Sequence, residues 1–325
     1  MTNLTSNYLG LKLKSPVIVS SSRLTSNLEN LKQAEKAGAG AVVLKSLFEE
    51  QITNNVNSLA SGSGYPEADD YLASYIRSHT VDEYIDLVTA AKKNLSIPVI
   101  PSINCYSSGT WTDFASRLSD AGADALEINV FFLPVDHRKS ASESEKLYLE
   151  LIEKLMKVVR IPVAVKIGYR FSNILNLIDQ FYVRGVKGVV MFNRFYEPDI
   201  DVDKLEIVPA PVFSTPEERR LVLRWVAMAS AQDYKIDISA STGVTCGRDA
   251  VRYLLAGAAS VQVCSVLYQK GLEFISDINE EIVKWMEDKN FKNISEFRGK
   301  LNWSGYRNPS IFERSQFMKH FASED

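Results

Sequence analysis

The chain has 325 residues, 46% of them hydrophobic and 24% charged, with a net charge of −3. These values are ordinary for a globular protein, and the small negative charge gives no electrostatic footing for nucleic acid or an anionic membrane. No apolar stretch spans a bilayer, and the opening Met-Thr-Asn-Leu-Thr-Ser-Asn lacks the basic start and apolar core of a signal peptide, so a cytoplasmic protein is expected.

Eight short apolar runs follow one another along the chain. Pro-Val-Ile-Val-Ser-Ser (16–21) precedes a helix-period segment, Leu28–Ala37, that stops at Gly38. Ala-Val-Val-Leu-Lys-Ser (41–46) leads into a turn-rich stretch, 47–80, expected to be a loop. Pro-Val-Ile-Pro-Ser-Ile-Asn (98–104) is followed by a predicted helix at Thr112–Ala121 and a stop at Gly122. Ala-Leu-Glu-Ile-Asn-Val (125–130) and Pro-Val-Ala-Val-Lys-Ile (162–167) come next, then a predicted helix at Ile174–Val183 with Gly185 beyond it. Gly-Val-Val-Met-Phe-Asn (188–193) opens into a second long loop, the proline-rich 194–220. Ile-Asp-Ile-Ser-Ala-Ser (236–241), a predicted helix at Gly247–Ala256, Ser-Val-Gln-Val-Cys-Ser (260–265) and an amphipathic segment at Leu272–Glu287 complete the series.

Continuous β-branched runs of this length suit strands buried on both faces of a parallel sheet. Each helix-to-strand turn carries a glycine, which tolerates the left-handed conformation a tight turn needs. Eight such units predict an α/β fold, one (β/α)₈ TIM barrel occupying residues 1–325, with inserted loops on its C-terminal face. In that architecture the C-terminal strand ends meet at one mouth. Lys45, Ser46, Asn104, Asn129, Lys166, Asn193, Ser241 and Ser265 are the residues there.

A lysine inside a hydrophobic strand is costly unless it meets an anion or a strong acceptor. Lys45 and Lys166 therefore point to negative charge on a bound group; a Schiff-base aldolase would use such a lysine too, and pairing with a buried carboxylate such as Glu127 is the structural alternative. Asn104, Asn129 and Asn193 supply uncharged donors and acceptors suited to a heterocycle's edge. Ser-Ala-Ser-Thr-Gly-Val (239–244) and Val-Cys-Ser (263–265) fall at the seventh and eighth strand ends, where such barrels hold phosphate on backbone N–H groups. Three cysteines and three histidines, scattered along the chain, offer no metal-ligand spacing, so no metal is expected.

Several of these segments, in order, resemble the class 1 dihydroorotate dehydrogenases. They are Tyr-Leu-Gly-Leu-Lys-Leu-Lys-Ser-Pro-Val (8–17), Lys45-Ser46, Ala-Gly-Ala-Asp-Ala-Leu-Glu-Ile-Asn (121–129), Ile-Pro-Val-Ala-Val-Lys (161–166), Leu-Leu-Ala-Gly-Ala-Ala-Ser-Val-Gln-Val (254–263) and Glu-Phe-Arg-Gly-Lys-Leu (296–301). The resemblance implies an N-terminal hairpin before the first strand and FMN as cofactor. By it, Ser20, Ser21, Lys45 and Ser46 lie against the flavin, and Asn104, Asn129 and Lys166 bond its ring edge. Ser241, Thr242, Gly243, Cys264 and Ser265 surround its phosphate, although the family usually shows Gly-Gly and Gly-Thr where Thr242-Gly243 and Cys264-Ser265 stand. Lys45, Asn129 and Asn193 would serve the reaction, in which hydride leaves dihydroorotate C6 while a base takes the C5 proton. A small-molecule substrate and a homodimer are implied as well. No amphipathic helix pair precedes the opening hairpin, which points away from the quinone-linked membrane form.

The departures from the family concern the substrate. After its fourth-strand Asn the family reads Asn-Leu-Ser-Cys-Pro-Asn, the Cys being the base; here the run is Asn129-Val-Phe-Phe-Leu-Pro134. Phe132 stands in the base position and cannot accept a proton, and Pro134 replaces the second Asn. Arg194 follows Asn193 where a small hydroxyl is usual, offering a charge for a different carboxylate. Asp136, His137 and Cys105 are the nearest substitute bases. The expectation is an FMN-dependent oxidoreductase of this type, acting poorly on dihydroorotate, with a flavin-binding protein that has lost turnover as the alternative.

Overall fold

The structure, a computed structural model, describes residues 2–48, 66–104, 111–194 and 197–313. It opens on an antiparallel hairpin, β1 (Ser6–Tyr8) and β2 (Leu11–Leu13). The two turn residues, Leu9 and Gly10, both have positive φ (57° and 79°), the geometry that matches hairpin twist. Leu9 adopts it at a steric cost. Burial of its side chain and a 2.8 Å hydrogen bond from its N–H to the Asp237 carboxylate offset that cost.

Six of the expected runs become strands β3 (Val17–Val19), β4 (Ala41–Val43), β6 (Val99–Ile100) with β7 (Ser102–Asn104), β8 (Leu126–Asn129), β9 (Val163–Ile167) and β10 (Gly188–Met191), while a short β5 (Leu47–Phe48) falls in the stretch expected to be loop. After an excursion, β11 (Pro198–Asp201) and β12 (Glu206–Pro209), come β13 (Asp237–Ser241) and β14 (Ser260–Val263). Every pairing around the barrel is parallel, in the order β3, β4, β6, then β7, β8, β9, β10, β13, β14 and back to β3. The third run is split at Pro101. Its first half pairs with β4 and its second with β8, so the ring closes across one proline, which has no N–H to donate.

The helices are α1 (Leu28–Lys36), α2 (Pro66–Asn94), α3 (Trp111–Asp120), α4 (Ala141–Met156), α5 (Ile174–Val183), α6 (Arg219–Ala229), α7 (Gly247–Leu255), α8 (Ser265–Lys270), α9 (Phe274–Asp288) and α10 (Ser310–Glu313). The four predicted helices that stop at glycine end within a residue of their expected bounds. Two expectations are corrected. The stretch 47–80 is not loop throughout, because α2 begins at Pro66; proline followed by Glu67 and two aspartates is a favourable helix start. The stretch 194–220 is not plain loop either: β11 and β12 pair antiparallel, with Pro198 and Pro209 facing each other at the open end, where a missing N–H does least harm.

One apolar core lies between the strands and the helices. A second fills the bottom of the barrel, where Tyr8, Leu9 and Leu13 of the hairpin meet Ile18, Val43, Ile100 and Val190 from the strands. The hairpin is thus the plug of the barrel's N-terminal end. Among the described residues no helix is long and apolar enough to cross a membrane.

The turn into β4 sets a sharp packing limit. A Cβ on Gly40 would stand 1.9 Å from the Ser15 carbonyl oxygen, a backbone atom that cannot move aside alone. Gly10 has open space around it and only its positive φ to defend. Gly40→Ala is expected to lose roughly 3 kcal/mol in denaturant unfolding, and Gly10→Ala about 1 kcal/mol; equal losses would show that steric room does not decide.

Candidate active site

Side chains along a strand alternate between faces, and here the inward set changes character with height. Ile18, Val43, Ile100, Ala125 and Ala164 form the apolar bottom layer. Two residues further along the same strands stand Ser20, Lys45, Ser102, Glu127 and Lys166. The apolar floor is thereby followed by a polar layer just below the mouth.

That layer is bonded across the lumen. The Lys166 ammonium donates to Ser20 Oγ at 3.1 Å and to Gln262 Oε1 at 3.3 Å. Ser20 Oγ donates to Gln262 Oε1 at 3.0 Å, and Gln262 Nε2 donates to Glu127 Oε2 at 2.6 Å. Lys166 is 6% exposed, Glu127 and Gln262 1% each. Lys166 thus meets Glu127 through Gln262, not directly. A hydroxyl chain adjoins it: Ser21 and Ser46 are 3.0 Å apart, and Ser46 and Ser102 2.7 Å.

Above this layer opens a cavity of about 190 Å³. Of the residues singled out in the sequence, Ser20, Ser21, Lys166, Asn193, Ser241, Thr242, Gly243, Cys264 and Ser265 line it. Ser46 backs its wall through Ser21. Asn129 joins through Asn193, whose Nδ2 donates to Asn129 Oδ1 at 2.7 Å. Lys45 and Asn104 are half-buried at neighbouring strand ends, outside the lining of this cavity.

The far end of the cavity is made by backbone turns. Thr242 and Gly243 both have positive φ (85° and 72°). For a β-branched residue this is strained, and two hydrogen bonds hold it: Thr242 Oγ1 donates to the Phe192 carbonyl at 3.1 Å, and the Tyr253 hydroxyl to the Thr242 carbonyl at 2.6 Å. Asp249 braces the following turn, accepting from Thr245 N and Oγ1 at 2.9 and 2.8 Å and pairing with Arg219 and Arg252. Ser214 was not foreseen. Its N–H and Oγ donate to Ser265 Oγ at 3.0 and 3.2 Å, and its Oγ accepts from Gly243 N at 3.3 Å, which leaves the Ser265 proton to face the cavity. Gln262 was equally unforeseen, although its spacing, two residues before Cys264 on a buried strand, put it on the inward face.

A family model described as dihydroorotate dehydrogenase matches residues 3–286. The chain belongs to the dihydroorotate dehydrogenase family. Among curated relatives, the dihydroorotate dehydrogenase B (NAD(+)) catalytic subunit of Thermoplasma volcanium is 24% identical over 316 residues, covering 92% of this chain and 98% of its own. Those of Alkaliphilus metalliredigens and Pyrococcus abyssi are each 27% identical, over 306 and 314 residues, covering 92% and 90% of this chain and 99% and 97% of their own.

Within this dihydroorotate dehydrogenase fold the fourth-strand loop is aromatic. Phe132 packs edge-on against Tyr148 (centroids 5.0 Å), Tyr148 packs likewise against Phe171 (5.2 Å), and the Phe132 N–H donates to the Tyr148 hydroxyl at 3.0 Å. Asp136 and His137 are not brought to the cavity. Asp136 accepts from Arg138 N and Nε at 3.0 and 3.2 Å, bonds that pull its carboxyl below the usual range and weaken it as a base. His137 is exposed, and Cys105 lies outside the described residues. Arg194 lines the cavity but its charge is already engaged, by Glu218 at 2.9 Å and by the carbonyls of Val212 and Pro211 at 2.7 and 2.6 Å. It is a brace for the 211–218 loop, not a free cation for a substrate carboxylate.

Cys264 is a free thiol in the cavity wall. Burial pushes its pKa up, while the Lys166 charge and a bond with Ser22 pull it partly back. At neutral pH little of it is thiolate. Iodoacetamide should therefore modify Cys264 more slowly than a free cysteine, speeding up toward alkaline pH, and a ligand filling the cavity should slow it further. Modification at the free-cysteine rate at neutral pH would contradict this environment.

Proposed function

We propose that the chain is an FMN-dependent oxidoreductase of the dihydroorotate dehydrogenase type whose turnover of dihydroorotate itself is poor. The observation that carries the reading is a buried ammonium, Lys166, held at the barrel mouth by Ser20 and Gln262 beside a cavity whose far end is made of hydroxyls and turn N–H groups. The donor set fits a heterocycle carrying a phosphate. The Ser265 hydroxyl, whose proton is left free because its oxygen accepts from Ser214 N and Oγ, supplies a phosphate donor, and Ser214 and Gly243 hold it in place. Ser20, Ser21, Lys166 and, from the neighbouring strand ends, Lys45, Asn104 and Asn129 supply the ring edge.

When bound, FMN would supply hydride acceptance. Lys166 would place positive charge at the ring edge, where charge develops in the transition state. Because Asn193 Nδ2 is spent on Asn129 Oδ1, Asn129 keeps its NH₂ donors and Asn193 its carbonyl acceptor for a substrate. Phe132 provides no proton acceptor. Purified protein should show a flavin absorption band or acquire one with added FMN; a colourless protein that binds none overturns the reading. Anaerobic reduction by dihydroorotate should be roughly 10²–10⁴-fold slower than in a relative with a base at that position, and Phe132→Cys should raise it. Fast bleaching of the unaltered protein overturns the second part. Bound FMN that no enoate or its reduced form can oxidise or reduce would favour a flavin-binding protein without turnover.

The proposed setting is a cytoplasmic homodimer. The β11–β12 hairpin supports it, exposing Ile200, Val202, Leu205 and Ile207 (67–87% exposed) as one apolar projection, unusual on a lone subunit. The paired substitution Ile200→Glu with Ile207→Glu should convert a dimer to a monomer in sedimentation; an unaltered mass would place the interface elsewhere. The relatives' naming as NAD(+)-linked catalytic subunits points to NAD(+) as the final electron acceptor.

A further inference from the structure

We infer that Glu127 is a positioning residue for Lys166, acting across the barrel lumen through Gln262; its consequence for a bound cofactor rests on the FMN reading above. The argument is one of directionality. An ammonium only donates and a carboxylate only accepts. The amide between them has one satisfactory orientation, Nε2 toward Glu127 (2.6 Å) and Oε1 toward Lys166 (3.3 Å). The same oxygen takes the Ser20 proton at 3.0 Å, so the Ser20 lone pair faces Lys166 at 3.1 Å. Two of the three ammonium donors are thereby tied to the floor, and one remains for the mouth.

Small side chains flank this carboxylate on its own sheet. Its strand neighbours on the inward face are Ala125 below and Ser102 and Ala164 alongside, and replacing a buried charged network by well-packed apolar side chains is often neutral or stabilising. Glu127 Oε1 and the Tyr8 hydroxyl are buried without a hydrogen-bond partner among the described residues, a cost the barrel carries. Tyr8 does not neutralise it: burial first, then the charges of Glu127 and Asp237, push that phenol well above its ordinary range. What the carboxylate does is polarise Gln262. With a neutral amide at 127, Gln262 could turn its NH₂ toward the ammonium, two donors would face each other, and Lys166 would lose an anchor.

The test combines Glu127→Gln, Gln262→Met and Lys166→Met. Acetylation of Lys166 by acetic anhydride, followed by mass spectrometry with saturating FMN and with none added, reads its anchoring directly. Both Glu127→Gln and Gln262→Met should raise that rate roughly tenfold, a size typical of residues coupled in one network. FMN dissociation constants should rise about tenfold in Glu127→Gln and not rise further when Glu127→Gln is added to Lys166→Met, again as coupling through one network requires. A purely structural Glu127 would weaken FMN equally in both backgrounds, and that result overturns the inference, as does unchanged acetylation. If the unaltered protein binds no FMN, the FMN reading fails by itself and acetylation alone decides this one. If Glu127→Gln does not fold, Gln262→Met carries the same two arms.

Discussion

A charge buried inside a closed eight-stranded barrel must be tied down by other side chains, because burial cuts it off from bulk solvent. Lys166 meets that requirement with partners drawn from three other strands: Ser20 on the first, Gln262 on the eighth and, behind it, Glu127 on the fourth. Opposite sides of the ring are therefore linked at one height. The strand registers, the closure at Pro101 and the hairpin plug beneath all serve to hold those four side chains within reach of one another. A slip of one residue in any of the four strands would turn its polar side chain outward.

The vertical order of the lumen follows from the same alternation. Ile18, Ala125 and Ala164 seal the bottom against Tyr8, Leu9 and Leu13, and two residues later each strand presents Ser20, Glu127 or Lys166. Apolar packing below and hydrogen bonding above are thus two consecutive layers of the same strands. The hairpin excludes water from below, which raises the strength of every polar contact above it. Asp237 connects the levels, standing at the start of β13 and receiving the Leu9 N–H, while the other end of that strand forms the cavity turn.

Much of this was legible in the sequence because period and punctuation are local. The eight apolar runs, their glycine stops and the polar residue two steps past each apolar one could be counted without knowing the fold. What could not be read was which residues meet across the lumen. Glu127 was visible as a possible partner of a lysine, but the intervening Gln262 depends on where the fourth and eighth strands stand in the ring. Ser214 lies in an irregular loop with no period to mark it, and only the path of the 211–218 segment brings it to Ser265. Arg194 misled for a related reason: its sequence neighbours say nothing of Glu218 or the carbonyls of Pro211 and Val212, which occupy its guanidinium. The start of α2 at Pro66 was hidden by a preceding run of turn-forming residues that outweighed the acidic helix start.

The polar and aromatic parts of the barrel's C-terminal face are segregated by strand. The buried ammonium and the hydroxyl-lined end of the cavity are built on strands one, five, seven and eight, where the positive-φ turn at Thr242 is held by local bonds from Tyr253 and to Phe192. The aromatic cluster gathers at the loop after strand four, where Phe132 packs edge to face on Tyr148 of helix α4, which packs likewise on Phe171 beyond β9. A phenylalanine whose ring and N–H are both engaged by one tyrosine is a packed solution. None of these three rings lines the cavity, so the aromatic loop and the polar cavity are separate parts of the barrel's C-terminal face.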